Sequence, residues 1–387
     1  MKVITFYLPQ FHTFPENDAW WGKGFTEWTN TKKAKALFKG HYQPNIPYQE
    51  NYYDLAAVEP MRQQAETAKK FGVYGFCFYH YWFKDCKKLM EGPVERFRDD
   101  KSIDFHYCLS WANEPWTRAW DGGEKQVIMP QEYGNKDEWI KHFEYLLSFF
   151  RDSRYIKIDG KPVLLLYRPD LITDLDQMLD CWEQLAQANG FSGLCLMAQG
   201  SAFCGNLSHD GSRFDYCIEF EPGFTRELFR KNNVLKHPIA AVHNPGCAAM
   251  FLWSDFKAKL ESGLGIKFKK PVRLFSYDTV CRAISKRPLY RNNMLPGLFP
   301  SWDNTPRRGR NGQIYAGSTP EKFKQYLKER LHDAKEKYHS DMIFINAWNE
   351  WAESAYLEPD ERNGYAYLQA LKEALQENEG CENKTLL

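Results

Sequence analysis

Two carboxylic acids near the end of an apolar segment are the residues of this sequence best suited to chemistry. The apolar run 343–345 leads to Asn349, Glu350, Trp351 and Glu353, so that the two glutamates lie three residues apart. Cleavage of a glycosidic bond requires one carboxyl group that is protonated and a second that is ionised. Apolar indole rings beside a carboxyl group raise its pKa and so help to keep it protonated. We predict Glu350 and Glu353 as a catalytic pair.

Aromatic side chains surround this pair along the sequence, namely Trp348, Trp351 and Tyr356. Their flat apolar faces can stack on a sugar ring. The alternative interpretation is that both glutamates are surface carboxylates that follow a buried strand. The short motif alone does not separate these two interpretations.

Eight short apolar runs predict the strands that would position these groups. They are residues 3–8, 74–79, 105–110, 163–167, 194–198, 214–220, 295–302 and 342–348. Helical patterns between them cover residues 61–71, 138–150, 175–189 and 320 to about 338. This alternation predicts a single (β/α)8 TIM barrel with long inserted βα loops, in which the active site lies on the loops after the strands. We expect one catalytic domain over residues 1–376 and a disordered tail over residues 377–387.

Tryptophan residues collect at or just after the ends of the predicted strands. These are Trp20, Trp21, Trp28, Trp82, Trp111, Trp116, Trp120, Trp302, Trp348 and Trp351. Clustering on one rim of the barrel favours a binding cleft. The alternative is that the long loops need aromatic residues to pack a secondary core.

Polar residues are interleaved with these rings, as expected where sugar hydroxyls are bound. The predicted substrate-binding residues are Gln10, His12, Trp28, Tyr79, His80, Trp82, Trp111, Asn113, Glu114, Glu219, Trp302, Asp303, Asn304, Trp348, Asn349, Trp351 and Tyr356. Glu27 and Asn30 lie further along the first loop. For any one of these residues, helix capping or a loop hydrogen bond is an alternative explanation.

Charge and composition exclude several other classes of protein. A net charge of +1 over 387 residues argues against nucleic-acid binding, which needs a basic surplus. We expect the basic runs 257–270 and 307–310 to be solvated surface, with weak peripheral docking to a membrane or an anionic polymer as the alternative. The sequence has no glycine-rich phosphate loop and no metal-ligand spacing, so we predict neither a cofactor nor a metal.

Cysteine usage and the N-terminal sequence favour a cytoplasmic location. The ten cysteines include no C-x-x-C pair, and several lie inside apolar runs, where a free thiol behaves as a small hydrophobic residue. The first residues resemble a strand and lack the features of a signal peptide. No apolar run is long enough to span a membrane.

Several long motifs resemble the WbsX-like glycosyltransferase family. They cover residues 6–12, 21–30, 38–44, 79–83, 111–114, 302–308 and 349–353. That family is associated with bacterial O-antigen and capsule biosynthesis. It shares its barrel with glycoside hydrolase family 99, the endo-α-mannosidases and endo-α-mannanases.

The resemblance implies a role for each glutamate of the pair. In family 99 the corresponding motif reads Asn-Glu-Trp-His-Glu. Glu350 would deprotonate the 2-hydroxyl of the substrate to give a 1,2-anhydro sugar, and Glu353 would protonate the leaving oxygen and then activate water or an acceptor. Ala352 replaces the histidine, so mannose specificity is not assumed. Glu114 resembles the acid/base of another retaining clan but follows the predicted third strand instead of the fourth, so we expect it to bind or support the substrate.

The residues and the resemblance together predict a carbohydrate-active enzyme of bacterial cell-surface polysaccharide metabolism. We expect it to cleave or transfer a glycosyl unit with retention, on an oligosaccharide or polysaccharide substrate. Two alternatives stay open at this point. One is a glycosyltransferase that uses a nucleotide sugar, and the other is a non-catalytic barrel that binds glycans.

Overall fold

The computed structural model describes residues 1–118, 123–200, 213–229, 242, 244–263 and 272–385. Within these ranges, eight strand positions pair in parallel to form one barrel. The strands are β1 Lys2–Tyr7, β2 Gly75–Trp82, β3 His106–Trp111, β4 Lys161–Leu166, β5 Cys195–Gly200, β6 Tyr216–Glu219, β7 in two pieces at Met294–Leu295 and Gly297–Leu298, and β8 Met342–Ile345. Each overlaps one of the predicted strands.

Strand β7 closes the barrel because its two pieces pair with different neighbours. Met294–Leu295 pairs with β6, and Gly297–Leu298 pairs with β8. Strand β8 also pairs with β1, so the hydrogen-bonded ring is complete. The interior is filled by aromatic side chains around Phe6, whose ring centroid lies 4.9 Å from that of Phe220 and 5.8 Å from those of Tyr79 and Phe344. The predicted (β/α)8 barrel is confirmed, and its centre is a packed core, as in other barrels of this type.

Helices cover the outside of the barrel and occupy its long loops. They are α1 Pro15–Trp21, α2 Glu27–Lys33, α3 Glu59–Lys70, α4 Glu91–Asp99, α5 Lys136–Phe150, α6 Leu175–Ala188, α7 Gly223–Leu228, α8 Pro245–Gly263, α9 Tyr277–Lys286, α10 Thr305–Arg308, α11 Pro320–Glu336 and α12 Ala366–Thr385. Helices α3, α5, α6 and α11 match the four predicted helices to within two residues at each end. Their starts follow the local chemistry, since the side chain of Asn135 caps α5 and that of Thr319 caps α11.

Short strands outside the barrel shape the loops that follow β3 and β8. Trp116–Arg118 pairs antiparallel with Gly123–Met129 after β3, and Asn349–Glu350 pairs antiparallel with Ala355–Tyr356 after β8. Three further short elements are Lys88–Leu89 beside β2, Lys157–Ile158 beside β4, and a parallel pair formed by Arg273–Ser276 and Gln313–Ala316. The inserted loops therefore carry structure of their own at the face where the strands end.

The C-terminal segment is helical. Helix α12 continues to Thr385, so the chain is helical beyond residue 376, where the sequence predicts a disordered tail to begin. In the part of the chain that the structure describes, no helix is both long enough and apolar enough to cross a membrane.

Closure of the barrel predicts a strict requirement for glycine at position 297. A Cβ atom there would lie 1.8 Å from the carbonyl oxygen of Glu219, which belongs to the backbone of β6 and cannot move aside cheaply. We expect Gly297→Ala to lower the free energy of unfolding by about 1–3 kcal/mol, the range typical of overpacking. Urea unfolding followed by circular dichroism measures this change.

The matched control is Gly246→Ala near the start of α8, where a Cβ would meet no described atom within 4 Å. This control should be neutral or slightly stabilising because alanine restricts the unfolded chain more than glycine does. Equal effects of the two substitutions would contradict the proposed role of Gly297 in closure.

Candidate active site

Arg307 lies at the centre of a buried cluster that joins three glutamates. Its Nη2 donates to Oε1 of Glu27 at 2.5 Å and to Oε2 of Glu350 at 2.9 Å, and its Nη1 donates to Oε1 of Glu353 at 2.7 Å. Arg307 belongs to α10 after β7, Glu27 to α2 after β1, and the other two glutamates follow β8. The structure thus brings the two predicted catalytic glutamates together through a shared guanidinium group.

One positive charge faces three carboxyl groups in this cluster, so at least one proton is needed to reduce the negative excess. Burial raises the pKa of Glu350 to about 8, with the charges of Glu353 and Glu27 adding to the effect and Arg307 opposing it. Burial likewise raises the pKa of Glu27, although Arg307 opposes it. The cluster therefore favours a form in which its carboxyl groups hold a proton between them, because ionising all three together would leave negative charge without a partner.

The three carboxyl groups differ in their access to solvent. The side chain of Glu27 is 0% exposed, that of Glu350 is 9% exposed, and that of Glu353 is 19% exposed. Glu353 is the member of the cluster that a substrate or a water molecule reaches most easily.

Backbone anchors hold the segment that carries these glutamates. The side-chain amide of Asn349 accepts from the backbone N–H of Leu8 at 2.7 Å and donates to the carbonyl oxygen of the same residue at 3.0 Å. The backbone N–H of Asp303 donates to the carbonyl oxygen of Glu353 at 2.7 Å. Asn349 therefore acts as a clamp between the ends of β1 and β8 and has no free amide group for a sugar hydroxyl.

Trp348 and Trp351 are buried and bind a carboxylate behind the cluster. Their Nε1 atoms donate to Oε1 and Oε2 of Glu358 at 3.0 and 2.6 Å, while Gln64 and Tyr53 donate to the same two oxygens at 2.6 and 2.9 Å. Burial raises the pKa of Glu358 to about 7, although these hydrogen bonds oppose the rise. Both indoles are 0% exposed, so they fix the backbone around Glu350 and do not offer faces for stacking on a sugar.

Strand β2 separates its predicted site residues according to the alternation of side chains along a strand. Tyr79 and Tyr81 are on the side of the cluster, since the Glu350 carboxylate adds to the effect of burial in raising the pKa of both phenols. His80 and Trp82 point the other way, towards His142 of α5: the Nε2 atoms of His80 and His142 are 2.8 Å apart, and Trp82 stacks on His142 at 4.4 Å. Burial lowers the pKa of His80 to about 3. The geometry favours a packing role for His80 and Trp82 and adds Tyr81 to the candidate site.

The predicted residues after β3 also divide into structural and accessible groups. Asn113 clamps the loop after β4, with its amide donating to the carbonyl of Arg168 and accepting from the N–H of that residue, both at 2.7 Å. The buried indole of Trp111 donates to the carbonyl of Trp82 at 3.0 Å. Glu114 keeps a half-exposed side chain, with one oxygen 3.5 Å from Nη1 of Arg168. Of the three, Glu114 is the one that a ligand can reach.

Glu219 at the end of β6 belongs to a buried ion-pair network. Its side chain is 0% exposed and accepts hydrogen bonds from Arg287, Arg330 and Tyr338, the latter two at 2.8 and 2.9 Å. Both carboxyl oxygens are therefore taken. The geometry favours a structural role for Glu219 over the substrate contact that the sequence predicts.

The predicted residues after β1 are buried against this core. Trp28 packs against Trp351 with ring centroids 5.4 Å apart, and its Nε1 donates to the carbonyl of Tyr53 at 2.8 Å. Nδ1 of His12 lies 3.0 Å from the carbonyl of Pro9, and Gln10 is buried. The geometry favours a role for these buried residues in supporting the loop that carries Glu27, and leaves them little surface for a ligand.

The predicted site residues after β7, together with Tyr356, are mostly buried, and one ring among them is accessible. Oδ2 of Asp303 accepts from His41 and Gln43 at 2.8 and 2.7 Å, and Oδ1 of Asn304 accepts from the backbone of Gln313 at 2.8 Å. Tyr356 stacks on Trp351 at 3.9 Å and donates to Asp360. Only Trp302 in this group remains partly exposed, so it is the candidate for stacking on a sugar.

Partly exposed aromatic rings lie beside Tyr81 and supply further faces. The ring of Trp116 lies 5.3 Å from that of Tyr81 and 5.8 Å from that of Trp20. Trp120, also among the predicted rim residues, lies outside the described residues. A sugar beside Glu350 and Glu353 would find Trp116 and Trp302 as candidate surfaces, and the buried Tyr81 packs beside Trp116.

Pairing of Glu27 with Arg307 is the feature that the sequence does not disclose. The two residues lie 280 positions apart in separate motifs, and nothing local indicates that they meet. The four-residue cluster contains no obvious metal site, because the guanidinium group occupies the space between the carboxylates. Among the described residues, no group of three or more His, Cys, Asp or Glu side chains is arranged to hold a metal ion.

A (β/α)8 barrel with buried carboxyl groups at the ends of its strands is the architecture of many enzymes that act on glycosidic bonds. The sequence pattern of the family called Glycosyltransferase WbsX matches residues 3–371, and the chain belongs to this family.

Two curated proteins are similar to this chain in sequence. The chain is 36% identical over 381 residues to the uncharacterized protein WxcX of Xanthomonas campestris pv. campestris strain B100, covering 96% of this chain, and equally to WxcX of strain ATCC 33913. The chain spans about half the length of these relatives, 49% in each case.

Solved structures share the fold at low sequence identity. The GH99 endo-α-mannosidase of Bacteroides thetaiotaomicron has a TM-score of 0.53 at 12% identity, covering 98% of both chains. A glycoside hydrolase-like protein has a TM-score of 0.55 at 13% identity, covering 96% of this chain and 93% of the other. At this identity the likeness shows the common barrel and no more.

Removal of Arg307 should destabilise the protein in a manner that depends on pH. We expect Arg307→Ala to lower the free energy of unfolding by about 3–5 kcal/mol near neutral pH, because the buried carboxyls of Glu27 and Glu350 lose the cation of the cluster. Without Arg307 the folded-state pKa values of Glu27 and Glu350 rise further above their unfolded values, because the opposing positive charge is lost. The stability of the variant should then be greatest below the unfolded pKa and fall as pH rises, so the deficit should be smaller at about pH 5 than at about pH 8.

Urea unfolding at both pH values measures this deficit, with Arg308→Ala as the control. Arg308 is the exposed neighbour of Arg307, so its substitution should change stability by about 0.5 kcal/mol or less. A deficit that is the same at both pH values would contradict the charge balance described for the cluster.

Proposed function

We propose that this enzyme cleaves or transfers a glycosyl unit with retention through Glu350 and Glu353, in bacterial cell-surface polysaccharide metabolism. The observation that carries the proposal is the attachment of both glutamates to one guanidinium group, with Glu350 more deeply buried and Glu353 more exposed. Two carboxyls held at a fixed separation in different environments are what a mechanism with one acid and one base requires.

In the first step, Glu350 takes the proton of the 2-hydroxyl group, and that oxygen attacks the anomeric carbon to form a 1,2-anhydro sugar. Glu353 gives its proton to the glycosidic oxygen as the bond to the leaving group breaks. In the second step, Glu353 takes a proton from water or from an acceptor hydroxyl that attacks the anomeric carbon. The epoxide opens, and O2 recovers its proton from Glu350, so the protein returns to its starting state.

Environment supports this division of roles. A base works best when its pKa lies near the working pH, and burial raises the pKa of Glu350 to about 8. Glu353 has the greater solvent access, which suits the group that must meet the leaving oxygen and then the incoming water or acceptor. Arg307 contacts both carboxyls and would stabilise whichever one is ionised at each stage.

A transferase reaction is the second candidate, and the family supports it. The family is named for a glycosyltransferase, whereas the fold is shared with an endo-α-mannosidase, so both α-mannosides and nucleotide sugars belong in a substrate screen. A non-catalytic glycan-binding barrel would need no carboxyl pair, and the partly exposed rings of Trp116 and Trp302 would suffice for it.

The proposed substrate is an oligosaccharide or polysaccharide. We propose no nucleic-acid partner, and the proposed location is the cytoplasm. The proposed link to O-antigen rests on the family and on the WxcX relatives. Weak peripheral contact with a membrane remains a prediction from the basic run 257–270, of which residues 264–270 lie outside the described part of the chain.

Glu353→Gln should abolish turnover while leaving binding in place. Glutamine keeps the size of the side chain but cannot donate the proton, so we expect a loss in kcat of about 100-fold or more. Mass spectrometry of products from α-mannose- and rhamnose-containing bacterial polysaccharides, with and without nucleotide sugars, measures it. A substrate whose leaving group needs no protonation should recover part of the first step in this variant.

The control is Glu144→Gln, which changes an exposed glutamate on α5 and should leave turnover unchanged. If the glycans become longer, and only when a nucleotide sugar is present, the enzyme is a glycosyltransferase and the proposed hydrolysis is wrong. Binding without turnover by the unsubstituted enzyme on every glycan in the screen would favour the glycan-binding barrel.

A second prediction concerns the pH dependence of kcat/KM. If ionised Glu350 is the base, the rate should rise with pH through an acid limb set by its pKa of about 8 in the free enzyme. Glu27 is one of the charges that raise this pKa. Glu27→Gln should therefore move the limb to lower pH, because glutamine removes the charge and leaves more of the Arg307 attraction for Glu350.

The pH–rate profile of Glu144→Gln should coincide with that of the unsubstituted enzyme. A limb that stays in place in Glu27→Gln, or that moves to higher pH, would remove Glu350 from the role of base.

A further inference from the structure

A second cleft lies on the other side of Trp348 and Trp351 from the glutamate cluster. Its volume is about 740 Å³, within the range of about 300–1,000 Å³ that is usual for small-ligand pockets. The loop after β1, the start of α3 and the segment after β8 form its walls. None of Glu27, Arg307, Glu350 and Glu353 is among its lining residues.

Tyrosine rings at the rim of this cleft are exposed and already oriented by their neighbours. The side chains of Tyr48 and Tyr365 are 36% and 42% exposed, and their rings meet edge to face with centroids 5.4 Å apart. Tyr365 also stacks on Phe71 at 5.8 Å, and the partly buried Tyr52 lines the same wall. Exposed aromatic faces held in place by other rings suit stacking on the apolar face of a sugar.

Neutral polar groups accompany these rings. Gln49, Asn51 and Gln63 line the cleft with exposed side chains, and each amide offers both donors and acceptors to hydroxyl groups. Gln49 and the next residue, Glu50, adopt left-handed backbone conformations with φ of 55° and 53°. Non-glycine residues keep such conformations only where surrounding contacts hold them. Here the N–H of Gln49 donates to Glu361, and the N–H of Tyr48 donates to the carbonyl of Pro359 at 3.0 Å.

The floor of the cleft is rigid and fully hydrogen-bonded. Gln64 donates to Glu358 at 2.6 Å and accepts from Tyr7 at 2.6 Å. Both oxygens of Glu358 are taken by four donors, so the floor is preorganised and supports ligand contacts that come from the rim.

The charged side chains that line the cleft are acidic, and the nearby Lys32 lies over the ring of Tyr52 at 3.9 Å. The described residues that line it include Glu50 and Glu358 but no lysine or arginine. A uronic acid or a phosphate group would meet negative charge there, whereas a neutral sugar would meet amides and aromatic rings.

We propose that this cleft is a second carbohydrate-binding site, for a neutral oligosaccharide, separate from the catalytic cluster and independent of the reaction proposed for it. The site would hold a length of glycan on the outer side of the wall formed by Trp348 and Trp351. Binding here needs neither Glu350 nor Glu353, so the two proposals can fail separately.

Isothermal titration of the full chain carrying Glu353→Gln, which prevents turnover, tests the site. The probes are neutral tetrasaccharides of mannose, glucose, galactose or rhamnose, and a tetramer of galacturonic acid as the acidic counterpart. We expect Tyr365→Ala and Tyr48→Ala to weaken binding of at least one neutral probe by about tenfold, whereas Tyr365→Phe and Tyr48→Phe should retain it because the ring face remains. The acidic tetramer should not compete.

Two controls separate loss of the site from loss of the fold. Trp253→Ala removes an exposed aromatic ring that does not line the cleft and should leave binding unchanged. Gln63→Glu changes only an exposed side chain on α3 and should weaken binding while the midpoint of thermal unfolding stays constant. The proposal is overturned if no neutral probe shows binding that depends on Tyr48, Tyr365 and Gln63, or if the acidic tetramer binds equally well at this cleft.

Discussion

The ion pairs of Arg307 with three glutamates, two of them buried, are the interaction on which the candidate active site depends. Arg307 comes from the loop after β7, Glu27 from the loop after β1, and Glu350 and Glu353 from the segment after β8. Three inserted loops therefore converge on one guanidinium group, although each belongs to a different strand. Because a buried charge without a partner is costly, the packing of these loops and the charge state of the cluster are linked. The raised pKa of Glu350 is a consequence of this arrangement, and the proposed chemistry begins from the form in which Glu350 is ionised.

Around this cluster, polar side chains act mainly as structural anchors. Asn349 and Asn113 each use both amide groups on a neighbouring backbone, and Glu358 and Glu219 each accept several hydrogen bonds in the interior. Long loops at the end of a barrel have many backbone groups that the barrel strands do not pair, and buried polar groups need partners. A residue type that is common in sugar-binding sites can therefore be required by the loops themselves. Only the geometry distinguishes these two uses.

The barrel and the position of the glutamate pair could be predicted from the sequence because both depend on local pattern. Apolar runs marked all eight strands, and the pair follows the last of them. The direction of side chains along the strands is what the sequence prediction misses. Tyr79 and His80 are adjacent in β2, yet they face opposite sides of the strand. Tyr81 shares the face of Tyr79 but is absent from the predicted site. The contact of Glu27 with Arg307 spans 280 residues and has no local sign. Ion pairs between residues so far apart in sequence depend on the topology of the fold, so local sequence patterns do not predict them.

The burial of many tryptophans indicates that they stabilise the loops, whereas the sequence suggests that they form a binding cleft. Trp28, Trp111, Trp348 and Trp351 each donate an indole N–H to a carbonyl or carboxylate inside the loop region, and both of their ring faces are packed. An indole used in this way stabilises a loop at both its apolar and its polar end, which explains why loops without regular strand pairing contain so many of them. The aromatic surfaces left for a glycan are then few: Trp116 and Trp302 near the cluster, and the exposed tyrosines of the second cleft. Trp351 separates these two regions, because its indole is bound to Glu358 while its backbone lies next to Glu350. The buried ring of Trp351 thus lies between the glutamate cluster and the second cleft, whose lining includes none of the four residues of that cluster.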